Sequence, residues 1–214
     1  MILTSKAYIE GMYYKPRIDE ELIRQYSGGL VCLSACLAGE LPQLLLTGKD
    51  KEAEDLVNRY REIYGKENYF IELQDHGIAE QKEVSPKLIA LAKKLDVPMV
   101  VTNDIHYCLQ EDHVAQDILL CVGTKKTRND PKRMKFDGTE FYMKSGDQMA
   151  SLFPEYPEMI ENTQRISQMC NLTIPQFTTS QLKDCLPVYQ IPPEFNSQDD
   201  YVRHIVYTGL EKRY

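Results

Sequence analysis

The stretch VVTNDIHY, Val100 to Tyr107, opens as a short β-branched apolar run and ends in an acid, one residue and an imidazole. Its first half reads as a buried strand. Its second half puts Asp104 and His106 at positions i and i+2, which share a face in extended backbone. A strand that ends in two polar, ligand-type side chains suggests a site at its carboxyl end, and the flanking sequence tests that idea.

Upstream, EQKEVSPKLIALAKKLD (Glu80 to Asp96) has the length and apolar spacing of a helix, and NYFIELQ (Asn68 to Gln74) reads as a strand. DKEAEDLVNRYREIYG carries apolar residues at helical spacing (Ala53, Leu56, Val57, Tyr60, Ile63, Tyr64) and stops at Gly65. LAGELPQLLLTG is another helix, GLVCLS a short strand, and DEELIRQY a helix with an aspartate at its start. Downstream, EDHVAQDILLCVG reads as a helix.

Strands alternating with helices through short connectors predict an α/β fold, a mainly parallel sheet or barrel covered by helices. In such folds chemistry gathers at the carboxyl ends of the strands. The three strands run out into LSAC, ELQDHG and TNDIHY, so Cys36, His76, Asp104 and His106 are expected on one rim. A thiolate, two imidazoles and a carboxylate suit zinc, manganese or iron. Each has a plainer reading: Cys36 as a packed thiol, His76 as a hydrogen-bonded core histidine, Asp104 as a turn or cap residue. Their shared rim favours the metal reading. Glu72, alternating with Gln74, is a weaker candidate, and His113 and His204 are left out.

With 214 residues, 43% hydrophobic and 27% charged, the chain has room for one sizeable core or a domain with an appendage. No apolar run approaches a membrane span, and the start shows no signal-peptide pattern, so a cytoplasmic location is expected. The six cysteines include no CxxC pair and are expected to be thiols. A net charge of −7 argues against nucleic-acid binding over the whole surface. It leaves room for a local contact in TKKTRNDPKRMK (Thr124 to Lys135), where Lys125, Lys126 and Arg128 are the candidate DNA-binding residues; the plainer reading is a solvated loop.

Taken together, LVCLSACLAGELPQLLL, YFIELQDHGIAEQKEV, VVTNDIHYCLQEDHVAQDILLCVGTKKT, TEFYMKSGDQMASLFPE and IENTQRISQMCNL resemble the amino-terminal part of the bacterial replicative DNA polymerase III alpha subunits. The likeness runs from YIEGMYYKPRID to VRHIVYTGLEKRY, essentially the whole chain. It implies a polymerase and histidinol phosphatase (PHP) domain, a distorted seven-stranded α/β barrel with a metal centre in some members. By motif position Cys36, His76, Asp104 and His106 match the later ligands of that centre, for zinc or manganese. Family members place a His-x-His motif and further ligands before the segment with which this chain opens, and palm, thumb and fingers after the point where it stops. The expectation is a piece of a larger polypeptide: a partial barrel lacking its first strands, with weak or no metal binding, followed by a small helical segment and an extended connector.

The expected organisation is residues 1–123 as the later part of the barrel, 124–175 as the basic loop and helices that complete the PHP region, and 176–214 as a connector and helix toward the polymerase core. The resemblance implies DNA, a proofreading exonuclease and a sliding clamp as partners of the whole protein, no membrane, and magnesium for a polymerase domain this piece lacks. Two functions compete for the PHP part: a metal-dependent phosphoesterase or 3′–5′ exonuclease, and a scaffold that braces the polymerase. The alternative of a free-standing PHP-superfamily phosphatase is disfavoured by the polymerase-like segments after the NDIHY helix.

Overall fold

The computed structural model describes residues 1–174, 176, 178, 187 and 189–213. Contacts divide it into two units, Met1–Cys170 and Asn171–Tyr214. The first opens with helix α1 (Ile2–Ile9) and a small antiparallel ribbon of β1 (Met12–Tyr13) and β2 (Lys15–Pro16), for which the sequence reading made no provision. Helix α2 (Glu20–Tyr26) starts at Asp19, whose Oδ1 accepts from the Leu22 amide at 2.9 Å, the aspartate start expected there.

Strand β3 (Cys32–Leu33), helices α3 (Glu40–Leu46) and α4 (Asp50–Tyr64), strand β4 (Tyr69–Leu73), helix α5 (Ala79–Leu95) and strand β5 (Met99–Val101) follow in that order. The strands pair β3-β4-β5, both pairs parallel, with Cys32 opposite Tyr69 and Ile71 opposite Met99. Parallel neighbours need helical crossovers, which α3 with α4 and α5 supply. The strand–helix alternation therefore holds, as a small parallel sheet in a mixed α/β fold.

Helix α4 turns Ala53, Leu56 and Val57 inward, and α5 turns Val84, Leu88, Leu91 and Ala92; all pack against Tyr69, Ile71, Leu73, Met99 and Val101 of the sheet in one core. Phe70 and Val100, on the opposite face, are also fully buried, so β4 and β5 are covered on both sides. Arg61 of α4 donates to the carbonyls of Leu95 (2.7 Å) and Asp96 (3.2 Å), tying the two crossovers together where α5 ends in a left-handed Asp96 at φ +51°.

Beyond β5 a 3₁₀ turn (Gln110–Asp112) leads into helix α6 (His113–Thr124), the basic loop, and helices α7 (Gly146–Ala150) and α8 (Glu158–Met169). Helix α7 begins with a reciprocal Ser145–Gln148 capping box. Helix α8 lies against β5, where the Asn162 amide donates to the Met99 carbonyl at 2.7 Å and Met159 is fully buried. Past the basic loop, Tyr142 forms a single parallel bridge with Tyr107.

In the second unit, helix Gln198–Arg213 confirms the helical reading of its sequence. Tyr201 on that helix stacks on Tyr189, 5.8 Å between centroids and 11° from parallel. The extended-connector reading rests largely on residues 175, 177, 179–186 and 188, which lie outside the described residues.

Candidate functional site

The carboxyl end of the sheet is a polar rim built from all three strands. Just after β3, the Ser34 hydroxyl accepts from the Glu72 amide at 2.9 Å. Thr102, one residue past β5, donates its hydroxyl to Glu72 Oε1, and the Gln74 amide donates to both Glu72 Oε1 (3.2 Å) and Thr102 Oγ1 (3.1 Å). Glu72 is thus the hub that crosslinks adjacent strand ends, which accounts for a carboxylate on an otherwise buried strand.

His76 is only 2% exposed and fully bonded. Its backbone N–H donates to Gln81 Oε1 at 2.7 Å, and Gln81 Nε2 donates to His76 Nδ1 at 2.9 Å. On the other side, Nε2 lies 2.9 Å from Asn103 Oδ1, while Asn103 Nδ2 donates to the Tyr142 carbonyl at 2.6 Å. Gln81 is oriented by the backbone N–H it accepts from, so its Nε2 donates to Nδ1. The backbone N–H of Asp104 donates to Nε2 at 3.1 Å, so that nitrogen faces both Asn103 and Asp104. Burial holds the imidazole below its ordinary value, the bond to Asn103 opposes this, and the nearby Lys144 cation adds to the depression. The His76 ring stacks on Phe141 at 4.6 Å.

Asp104 and His106 come together as the i, i+2 spacing suggested: Asp104 Oδ2 lies 3.2 Å from His106 Nε2, with both side chains open to solvent. His106 is steadied by its backbone amide, which donates to the Phe141 carbonyl at 2.8 Å, and by ring contacts with Phe136 (4.5 Å) and Phe141 (5.9 Å). Phe141 therefore touches both imidazoles. Cys36 is exposed beside a water-sized cleft of about 10 Å³ that it shares with Glu72, Gln74 and Gln81.

His76, Asp104 and His106 are neighbours, and Cys36 lines a cleft together with Glu72, Gln74 and Gln81, the residue that clamps His76. Among the described residues no group of three or more His, Cys, Asp or Glu is arranged to hold a metal ion. Both nitrogens of His76 are engaged by amides, leaving Asp104 and His106 as the open donors. Two donors fall short of a protein-made zinc shell, so the described residues by themselves do not complete a metal centre.

The sequence reading missed Gln81, Asn103, Phe136 and Phe141. Asn103 lies within the quoted stretch, and Gln81 opens the helix after His76, but only distance in space shows that both clamp one ring. The basic loop is partly self-neutralised. Arg133 grips both oxygens of Asp117, with Nη2 at 3.0 Å from Oδ2, and holds that carboxyl below its usual range; Lys126 pairs with Asp130 at 2.9 Å. Arg128 Nε lies 3.5 Å from Asp117 Oδ2, and the Lys125 ammonium has no partner among the described residues. No helix of the described residues is long and apolar enough to cross a membrane.

Residues 1–76 match the family described as the PHP domain. The chain is 60% identical over all 214 residues to the DNA polymerase III subunit alpha of Treponema pallidum (strain Nichols), covering 18% of that protein. It is 41% identical to the corresponding subunit of Borreliella burgdorferi over 99% of the chain and 18% of the relative. Against the subunit of Thermus aquaticus the identity is 40%, over 99% of the chain and 17% of the relative. The chain thus spans under a fifth of the length of these relatives. From end to end the chain is similar to a segment of the bacterial DNA polymerase III alpha subunits, and its first 76 residues match the PHP domain.

Proposed function

We propose that this chain is the PHP-type module of a replicative DNA polymerase alpha subunit, acting as a brace for template-directed DNA synthesis carried out elsewhere in the longer protein. The observation that carries this reading is the unbroken 60% identity across the whole chain, which extends well past the PHP match at residues 1–76. A free-standing phosphatase of the PHP superfamily gives no reason for that likeness after residue 76.

In this reading residues 1–123 are the later part of a distorted barrel, 124–175 complete the PHP region, and 176–214 lead toward the polymerase core. The face with Cys36, His76, Asp104 and His106 is where a zinc or manganese ion would approach, with Asp104 and His106 as this chain's open donors and the rest supplied by polypeptide beyond it. A hydrolytic centre needs a cation held well enough to activate water. The engagement of both His76 nitrogens supports the bracing role. DNA contact is assigned to Lys125, Lys126 and Arg128, and proofreading exonuclease, sliding clamp and the magnesium of nucleotidyl transfer to the longer protein.

Two measurements test the reading. The purified chain is expected to incorporate no labelled nucleotide on a primed template with magnesium or manganese; incorporation by a contaminant-free sample overturns it. Replacing Lys125, Lys126 and Arg128 by Ala is expected to weaken DNA binding and flatten its salt dependence, by up to about 0.9 in logarithmic slope for each phosphate no longer neutralised. An unchanged slope returns the segment to a solvated loop.

A further inference from the structure

Beneath the basic loop lies a cavity of about 150 Å³ between α6 and the turn at Phe136–Gly138. Its walls include the rings of Tyr107 and Phe136, the apolar side chains of Val114 and Leu120, the Gln116 amide and the Arg128 guanidinium. Three features make it more than a gap in packing.

Gln116 is half-buried on the cavity wall, and its amide is bonded to no other described residue, so a donor and an acceptor are free side by side. Asp117, also on the wall, is already bound by both nitrogens of Arg133. That pairing neutralises the one carboxylate that would repel an anion and leaves Arg128, whose Nε lies 3.5 Å from Asp117 Oδ2, with unused N–H donors at the mouth. Phe136 is fixed by ring contacts with His106 (4.5 Å) and Phe141 (4.8 Å), so the aromatic wall is braced from behind by the candidate site.

An apolar and aromatic slot, a free amide and a cation at its edge are complementary to a flat heteroaromatic ring with a hydrogen-bonding edge and a neighbouring phosphate. We propose that this cavity receives one nucleobase, with Gln116 bonding its edge and Arg128 its adjacent phosphate. The volume of about 150 Å³ suits a base, with sugar and phosphate outside on the basic loop. The proposal deepens the assignment of that loop to DNA. It predicts that the loop holds a single strand with one base unstacked, rather than an intact duplex, whose bases are not free to enter.

Three probes separate the possibilities: a fluorescent oligothymidylate, an abasic strand of the same length and charge, and thymidine monophosphate as competitor. The thymine strand is expected to bind at least about 5-fold more tightly than the abasic strand, the lower end of what one stacked base contributes. Gln116→Trp, which fills the cavity, is expected to abolish that preference while leaving the salt slope unchanged. Arg128→Ala, as a second variant, lowers both. Competition by the free nucleotide would make it an equally good source of the base and support the cavity. Salt-dependent binding with no preference for thymine over abasic strand overturns the cavity and leaves the loop assignment standing. Base preference or nucleotide binding without a salt slope does the reverse, and no binding by any probe overturns both.

Discussion

The imidazole of His76 lies flat on the ring of Phe141, 4.6 Å between centroids and 5° from parallel. The two residues come from the end of β4 and from the segment after the basic loop. Their contact, with that of His106 on the same phenyl ring, joins the sheet rim to the later part of the unit. Phe141 is 3% exposed and has no polar side-chain atom, so its contribution is packing and ring contact.

Phe141→Ala is accordingly expected to cost about 3–5 kcal/mol of unfolding free energy, the range for an emptied aromatic core position. Phe141→Leu should cost less. Urea denaturation followed by circular dichroism measures both; a loss under about 1 kcal/mol for the alanine variant would show that the ring is not a packing centre.

His76 gives the stability a pH dependence with a defined sign. Its folded value is depressed below the ordinary 6.5, so in the interval between the two the unfolded chain binds more protons than the folded one. The contribution is present above 6.5 and is lost as the pH falls through 6.5 and then through the lower folded value. His76→Gln should flatten that part of the profile. The ring-proton chemical shift in NMR should titrate with a midpoint below 6.5, and a midpoint at or above it would refute the assignment.

Arg133 is expected to order the basic loop through its two-nitrogen grip on Asp117. Arg133→Ala should speed amide hydrogen exchange across residues 126–135, and Arg133→Lys should restore only part of the protection, because an ammonium cannot reproduce the fork geometry. Exchange rates that stay at the parent level in the alanine variant would show the loop to be held by something else.

Pro86 lies inside α5, where it lacks the N–H that would bond the Lys82 carbonyl. Pro86→Ala restores that donor and is expected to raise stability by about 1–3 kcal/mol, less any gain of freedom in the unfolded chain. Thermal unfolding reads the change. A lowered melting temperature would mean that the surrounding packing depends on a local bend at Pro86.

What could be read directly was what is encoded locally. Period-3.6 spacing in DKEAEDLVNRYREIY, the aspartate at the start of α2 and the β-branched run at Val100–Val101 mark helix or strand with neighbours a few residues away, and all three appear where expected. Parallel pairing then follows from the crossovers, and with it the placement of the strand ends on one rim. The Asp104–His106 pair was legible for the same reason, since its geometry depends on a two-residue spacing.

Residue type alone does not say whether a histidine offers a lone pair or has spent it. His76 is clamped by Gln81 from the next helix and by Asn103, 27 residues away, and is stacked on Phe141 from farther still. The sequence by itself determined the elements from α2 to α6, their order and the similarity to the polymerase subunits, because those reside in local periodicity and collinear matching. Only the tertiary structure decided that His76 is bonded shut, that Cys36 shares a cleft with Glu72, Gln74 and Gln81, and that a free glutamine amide faces a cavity under the basic loop. Each of those depends on which distant polar group reaches a buried one first, and that competition is settled by packing.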